Sequence, residues 1–386
     1  MTNSSTLITD IKHFDDQNDL VYTSIFIENG KILSIGNDLP EDLEPGSVLD
    51  GRSFAVLPGF IDLHTHGALG FEMIGITPEE LQEVTLFYAK HGVTAFLATP
   101  WTAPRKEIND AIEVTRSVMG KEKGARILGV HLEGPFLNPV FCGAQDKSLI
   151  RPAGREEALE YLDTGLVKLI ALAPEIAENQ WLIDECVRRN ITVAAGHTNA
   201  TYAEIKNAVA HGVRQVTHCF NAMRPLNHRE PGVVGAAFDL NKIKCELIAD
   251  NIHVNPVVMK LLLTIKSPEG VILITDSISA TGMPDGDYTF EGMPVTVKDG
   301  AVRLADGTLA GSTLTMDCAF ANFVKATGRS IPELIPCGSL NAARAIHMDD
   351  HKGVLAPGWD ADLILVDQNL HVKLTMVEGN VVYREI

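Results

Sequence analysis

The sequence predicts an α/β protein: a TIM (β/α)8 barrel with a small β-sandwich domain formed from both chain termini. Three observations lead there. From about residue 56 to 278, apolar β-rich runs alternate with helical patterns, and eight such runs can be counted. Both ends of the chain read instead as short strands separated by turn residues. Histidines and carboxylates recur where the runs end, and in such a barrel that rim carries the chemistry.

The elements follow in chain order. Residues 23–36 alternate apolar and polar around Asn29-Gly30, a strong hairpin signal. The eight barrel strands are expected at 57–63, 93–98, 126–132, 167–171, 192–196, 215–217, 245–249 and 271–275. Between them, Thr77-Pro78-Glu79-Glu80 reads as a capping box with proline at the first helical position. Leu81, Val84 and Tyr88 then share a face, and Gly92 stops the helix. Thr201-Tyr202-Ala203-Glu204 repeats the signature and ends at Gly212. Asp299-Gly300 marks a hairpin at 292–303, inserted after the eighth strand, and 362–366 and 372–383 are short strands. We therefore expect a small β domain from residues 1–55 with 355–386, and a barrel over 56–354.

Composition narrows the function. The 386 residues are 45% apolar, but no apolar stretch approaches the roughly 18 residues that span a bilayer. The start, Met1-Thr2-Asn3-Ser4-Ser5, lacks a basic region followed by an apolar one, so a cytoplasmic rather than secreted protein is expected. Six scattered cysteines with no C-x-x-C pair suit reduced thiols. A net charge of −18 without any basic run argues against nucleic acid as partner. It does not exclude an anionic small molecule, because an acidic protein can hold a local cationic pocket.

The rim holds the strongest signal. In Leu57-Pro58-Gly59-Phe60-Ile61-Asp62-Leu63-His64-Thr65-His66-Gly67 an apolar strand runs into a His-x-His pair whose rings share one face. The third strand ends in His131-Leu132-Glu133, the fifth in Gly196-His197-Thr198 and the sixth in Thr217-His218. The seventh leads to Asp250-Asn251-Ile252-His253, and the eighth ends in Thr275-Asp276-Ser277. Each alone has a bland reading: a hydrogen-bonded structural histidine, a solvated glutamate before Gly-Pro, Asp276 as a helix cap. Recurrence at matching positions favours convergence on one volume. His131 shares the face of Glu133 and is expected beside the site, whereas Cys219 should face away from it. Imidazoles and carboxylates with open positions suit zinc, iron, manganese or cobalt as divalent ions. Such an ion lowers the pKa of bound water towards about 7 and polarises an acyl oxygen, and Asp276 could carry the proton. This is metal-assisted hydrolysis.

These strings resemble the amidohydrolase superfamily over nearly the whole chain, from the P-G-F-I-D-x-H-x-H-G opening to Gly353-Val354-Leu355-Ala356-Pro357-Gly358-Trp359-Asp360-Ala361-Asp362-Leu363. More narrowly, they resemble the N-acetylglucosamine-6-phosphate deacetylase family. The strings in question are His131-Leu132-Glu133-Gly134-Pro135-Phe136, Gly196-His197-Thr198, His218-Cys219-Phe220-Asn221-Ala222-Met223, Arg229-Glu230-Pro231-Gly232, Thr275-Asp276-Ser277 and Leu309-Ala310-Gly311-Ser312.

The resemblance implies hydrolysis of the acetamide of N-acetylglucosamine 6-phosphate, giving glucosamine 6-phosphate and acetate in amino-sugar catabolism. It implies Glu133, His197 and His218 as metal ligands and Asp276 as base and then acid. Ala144, Gln145, Asn221, Ala222, His253, Leu309, Ala310 and Gly311 would contact substrate. Arg229 would meet the phosphate from a neighbouring subunit, so a homodimer is implied; the planar fork of an arginine suits that role. One-metal members of the family lack the second histidine of the first strand and place a histidine where this chain has Gln145. Keeping His64 and His66 resembles the binuclear variant, with Asp276 completing a second site and Glu133 bridging. One or two metals per chain are therefore expected. The alternatives are another deacylase of the superfamily, such as one acting on N-acyl-D-amino acids, or a non-catalytic barrel scaffold.

Overall fold

Eight strands, each parallel to the next, run from the first barrel strand (Phe60–Thr65) through Val93–Ala98, Arg126–Glu133, Val167–Leu172, Thr192–Ala195, Val213–Val216, Lys244–Ile248 and Val271–Ile274. The first and last meet where Asp276 N–H donates to His64 O at 2.9 Å and His66 N–H to Ser277 O at 2.7 Å, closing the barrel. The strands are buried on both faces, as continuous apolar runs require when helices cover a parallel sheet. This computed structural model describes residues 5–15, 17–36, 45–290 and 292–385. Met1-Thr2-Asn3-Ser4, on which the expectation against secretion largely rests, and residues 37–44 of the expected terminal unit lie outside the described residues.

Local chemistry produces the anticipated helices. Thr77 accepts from Glu80 N–H at 3.3 Å while the Glu80 carboxylate accepts from Thr77 N–H at 2.8 Å, so the box that opens Pro78–Lys90 is complete. Leu81, Val84 and Tyr88 are buried on its inner face. Thr201 and Glu204 repeat the box at Tyr202–His211, which Gly212 ends with a φ of 124°. Among the described residues no helix is long and apolar enough to cross a membrane.

Terminal strands join into one continuous eight-stranded sheet, ordered Asn380–Arg384, Val372–Val377, Leu363–Val366, Ala55–Pro58, Ser5–Phe14, Leu20–Glu28, Lys31–Gly36, with Ser47–Asp50 also paired to Ser5–Phe14. The sheet folds round its own apolar core, in which Ile8, Ile25 and Ile32 from the start of the chain meet Leu363, Leu374 and Met376 from its end. Buried Lys352 ties its base, with Nζ 2.8 Å from both Asp360 and Asp362.

Two expectations are revised. The apolar run at 57–63 is two strands: Ala55–Pro58 pairs antiparallel with Leu363–Val366, and the barrel strand starts at Phe60. Gly59 is the joint. Its N–H reaches Asp362 O at 3.0 Å in the terminal sheet, while Phe60 N–H reaches Gly92 O at 2.9 Å in the barrel. A Cβ at position 59 would lie 2.1 Å from Thr94 Cγ2, so only glycine lets the chain pass this close. The second revision concerns the insertion after the eighth strand. It is a three-stranded meander (Gly286–Phe290, Met293–Lys298, Ala301–Leu304), not a hairpin. The strand that was not anticipated buries only Phe290, so its alternation gives little apolar signal.

Candidate metal centre and active site

Each strand end delivers its side chain to the same rim. His64 and His66 leave the first strand with their Nε2 atoms 3.1 Å apart. His197 and His218, from the fifth and sixth strands, have theirs 3.0 Å apart. Glu133 stands between the pairs: Oε1 is 3.1 Å from His197 Nε2, 3.0 Å from His218 Nε2 and 3.3 Å from His64 Nε2, and Oε2 is 3.4 Å from His66 Nε2. Asp276 Oδ1 lies 3.1 Å from His66 Nε2 and 3.5 Å from His64 Nε2. His197, His218 and Asp276 hold positive φ values of 45°, 29° and 51°, strained backbone of the kind that clusters at functional sites.

The outer ring nitrogens decide what this cluster can bind. His66 Nδ1 donates to Thr99 O at 2.8 Å, His197 Nδ1 to Phe141 O at 3.0 Å and His218 Nδ1 to Asn221 O at 3.2 Å. A carbonyl only accepts, so the proton of each neutral ring is fixed at Nδ1 and the Nε2 lone pair turns inward. Lone pairs facing at about 3 Å repel unless a cation lies between them. The donor set therefore fits a divalent metal, and of the three groups of three that come together among the described residues, two share the glutamate: His64–His66–Glu133 and Glu133–His197–His218. Charge agrees. Burial opposes ionisation of Glu133, yet His64 and His197 hold its carboxyl well below the ordinary carboxylate range. Burial likewise opposes Asp276, but His64 and His66 bring it to about 2. In return, and against burial, Asp276 and Glu133 raise His66 to about 9. The centre calls for positive charge.

A cavity of about 360 Å3 opens onto this centre. Of the substrate contacts expected from the sequence, it is lined by Ala144, Gln145, Asn221, Ala222, His253, Leu309 and Gly311, together with His66, Glu133, His197, His218 and Asp276. His64 lies beneath, fully buried. Gln145 is committed on both sides: its amide donates to Glu133 Oε2 at 2.9 Å and its oxygen accepts from Thr102 N–H. His253 is oriented by Asp250, Nδ1 to Oδ2 at 2.6 Å. Ala310 is not in the lining; it is buried, with its N–H on Val302 O, so only its two neighbours face the cavity. Arg229 is exposed on the loop after the sixth strand and lines no part of its own chain's cavity. Asp276 is no helix cap: among the described residues no helix follows it before the strand Gly286–Phe290, and its carboxylate faces His66. Cys219 faces Cys245 in the core. His131 lies below the rim, its Nδ1 on Leu63 O at 3.0 Å, and burial pushes its pKa down to about 3, so it stays neutral.

Sequence reasoning missed three residues. Glu246, fully buried on the seventh strand, accepts from His64 Nδ1 at 3.1 Å and from the His218 N–H at 3.2 Å, so one carboxylate orients a ligand from each pair. Asp62 accepts from Thr275 Oγ1 at 2.5 Å and fastens the first strand to the eighth, below Asp276. Both stand as acids inside apolar strands, and that is the signal that could have found them. Arg303 lines the cavity from the inserted meander, where nothing in the pattern marks it.

A closed parallel barrel whose rim gathers four imidazoles and two carboxylates around a fit for a divalent metal defines a hydrolase of the metal-dependent kind. The chain belongs to the amidohydrolase family, which residues 55–382 match. It is 36% identical to an N-acetylglucosamine-6-phosphate deacetylase of Bacillus subtilis, over 98% of this chain and 97% of that one. It is also 36% identical to an N-acetylgalactosamine-6-phosphate deacetylase of Escherichia coli O157:H7, over 87% and 89%. Among solved structures, an N-acetylglucosamine-6-phosphate deacetylase of Thermotoga maritima superposes with a TM-score of 0.88 at 36% identity, covering 98% of this chain and all of the other.

Proposed function

We propose that this chain hydrolyses the acetamide of N-acetylglucosamine 6-phosphate, giving glucosamine 6-phosphate and acetate. The observation that carries the reading is the convergence of His64, His66, His197 and His218 on Glu133 and Asp276 at the inner end of one cavity. Relatives at 36% identity over nearly the full chain supply the substrate class. The barrel from Phe60 to about residue 354 forms the catalytic unit in this reading, and the strand Ala55–Pro58 goes with the small domain built from the two ends of the chain.

His64, His66, Glu133, His197, His218 and Asp276 would hold one or two divalent ions, zinc, iron, manganese or cobalt, with Glu133 shared. When bound, the metal supplies a polarised acetamide oxygen and a water acidified to about pKa 7. Asp276 takes the proton of the attacking water and passes it to the amine nitrogen as the C–N bond breaks, so that acetate and the amino sugar leave. Gln145 holds Glu133 in place while Asn221, Ala222 and His253 bind the sugar. Arg229, exposed and outside its own cavity, would reach the phosphate bound by a second copy, which makes a homodimer the working assembly. Six free cysteines suit a cytoplasmic setting.

Acetate release tests the reading. Fast release from N-acetylglucosamine 6-phosphate and slow release from the unphosphorylated sugar are expected. Preference for the galactosamine epimer would move the substrate by one stereocentre, and release from N-acyl amino acids instead would overturn it.

A further inference from the structure

We infer that Arg303 is a phosphate contact supplied by the chain's own inserted meander. This rests on the proposed reaction and deepens it. Among the described residues seventeen line the cavity, and Arg303 is the sole lysine or arginine of them. The inner end carries the candidate metal ligands His66, Glu133, His197, His218 and Asp276. The proposed reaction places the acetamide at those ligands, and because it and the 6-phosphate leave opposite ends of the sugar, the phosphate lies toward the cavity mouth.

Burial shows where that is. Every candidate ligand is buried, whereas Arg303 and Gly307 are exposed and Thr308 and Leu309 half-buried, so the meander and its following loop form the mouth. Among the described residues Arg303 is held there at one point, Nη1 donating to Gly307 O at 2.9 Å. The rest of the guanidinium fork is left for an anion, in the planar geometry that binds phosphate oxygens in pairs. The one acid on the same loop, Asp306, is turned to Thr308 N–H at 2.9 Å. Arg303 thus gives a chain of net charge −18 a local cation at the cavity mouth without help from a second subunit.

The test compares Arg303→Gln and Arg303→Lys with the unaltered protein, all metal-loaded. Two quantities are read: the ratio of kcat/KM for N-acetylglucosamine 6-phosphate over N-acetylglucosamine, and calorimetric binding of inorganic phosphate. Arg303→Gln should lower the ratio about tenfold through KM, the weight of one charge-assisted hydrogen bond. It should weaken phosphate binding in parallel, and lysine should restore part of both. An unchanged ratio in an enzyme that does hydrolyse the phosphorylated sugar would overturn the assignment and leave the reaction standing. If the unaltered protein does not hydrolyse that sugar, the proposed reaction fails. Phosphate binding then decides alone: loss in Arg303→Gln keeps Arg303 as the anion contact, and equal binding removes it.

Discussion

Asp276 and Glu246 are both buried acids near the same imidazoles, but they face them differently. Asp276 Oδ1 looks into the cavity, 3.1 Å from the inward nitrogen of His66, where water and substrate must come. Glu246 sits behind, against the outward nitrogen of His64, and touches no part of the cavity. Their substitutions should therefore fail in different ways. Asp276→Asn should keep metal and substrate binding and lose about 10² to 10⁴ in kcat, the usual weight of a proton-transferring side chain. Glu246→Gln should weaken metal binding about 10- to 100-fold, with the enzyme regaining much of its turnover at saturating metal. Metal titration alongside kinetics separates the two. Metal loss in Asp276→Asn would make that residue chiefly a ligand. At this scale the sequence was informative where residues stand at strand ends and silent where they act from within strands or from insertions. His64, Glu133 and Asp276 announce themselves by position; Arg303 does not, because what makes it a cavity residue is a fold of the meander.

Capping boxes and turns were readable because their hydrogen bonds close within four residues. Asn29-Gly30 and Asp299-Gly300 turn their hairpins with φ values of 51° and 78° in each pair, the mirror-image turn that this dipeptide chemistry favours. The joint between the terminal sheet and the barrel was not readable, since 57–63 is apolar throughout and the partner that divides it, Leu363–Val366, lies some 300 residues away. Gly59 is the residue on which that joint depends. Gly59→Ala should destabilise the protein by about 1–3 kcal/mol, because the new methyl meets Thr94 and strand backbone has little room to yield. A lowered thermal midpoint checks this; an unchanged one would show that the strands slide apart without cost.

The whole molecule balances a large negative charge against a few cations placed where they count. Against the cost of burial, His91 holds Asp317, and Lys31 with Lys352 holds Asp360, below the ordinary value of 3.8. A depressed carboxyl stabilises the fold above its unfolded value, and that contribution is lost as pH falls through the lowered one. Asp62 runs the other way: burial raises it to about 6, so protonating it between there and 3.8 favours the fold. His131, which burial lowers to about 3, costs stability over the same range and offsets Asp62, so metal-free protein should hold its stability as pH drops from 6 to 4 and lose it below 3.8, followed by circular dichroism. Unfolding that began near pH 6 would contradict these signs. The overall charge said only that nucleic acid is a poor partner; the local positive site emerges when the barrel brings distant segments to one rim.

Catalysis in the proposed reaction turns on a metal held by residues from five strand ends, and reconstitution tests this most directly. Chelation should abolish acetate release from N-acetylglucosamine 6-phosphate. Stepwise addition of zinc or manganese should restore it in proportion to metal bound, reaching a plateau at one or two ions per chain. Undiminished release from protein shown by elemental analysis to be metal-free would contradict it.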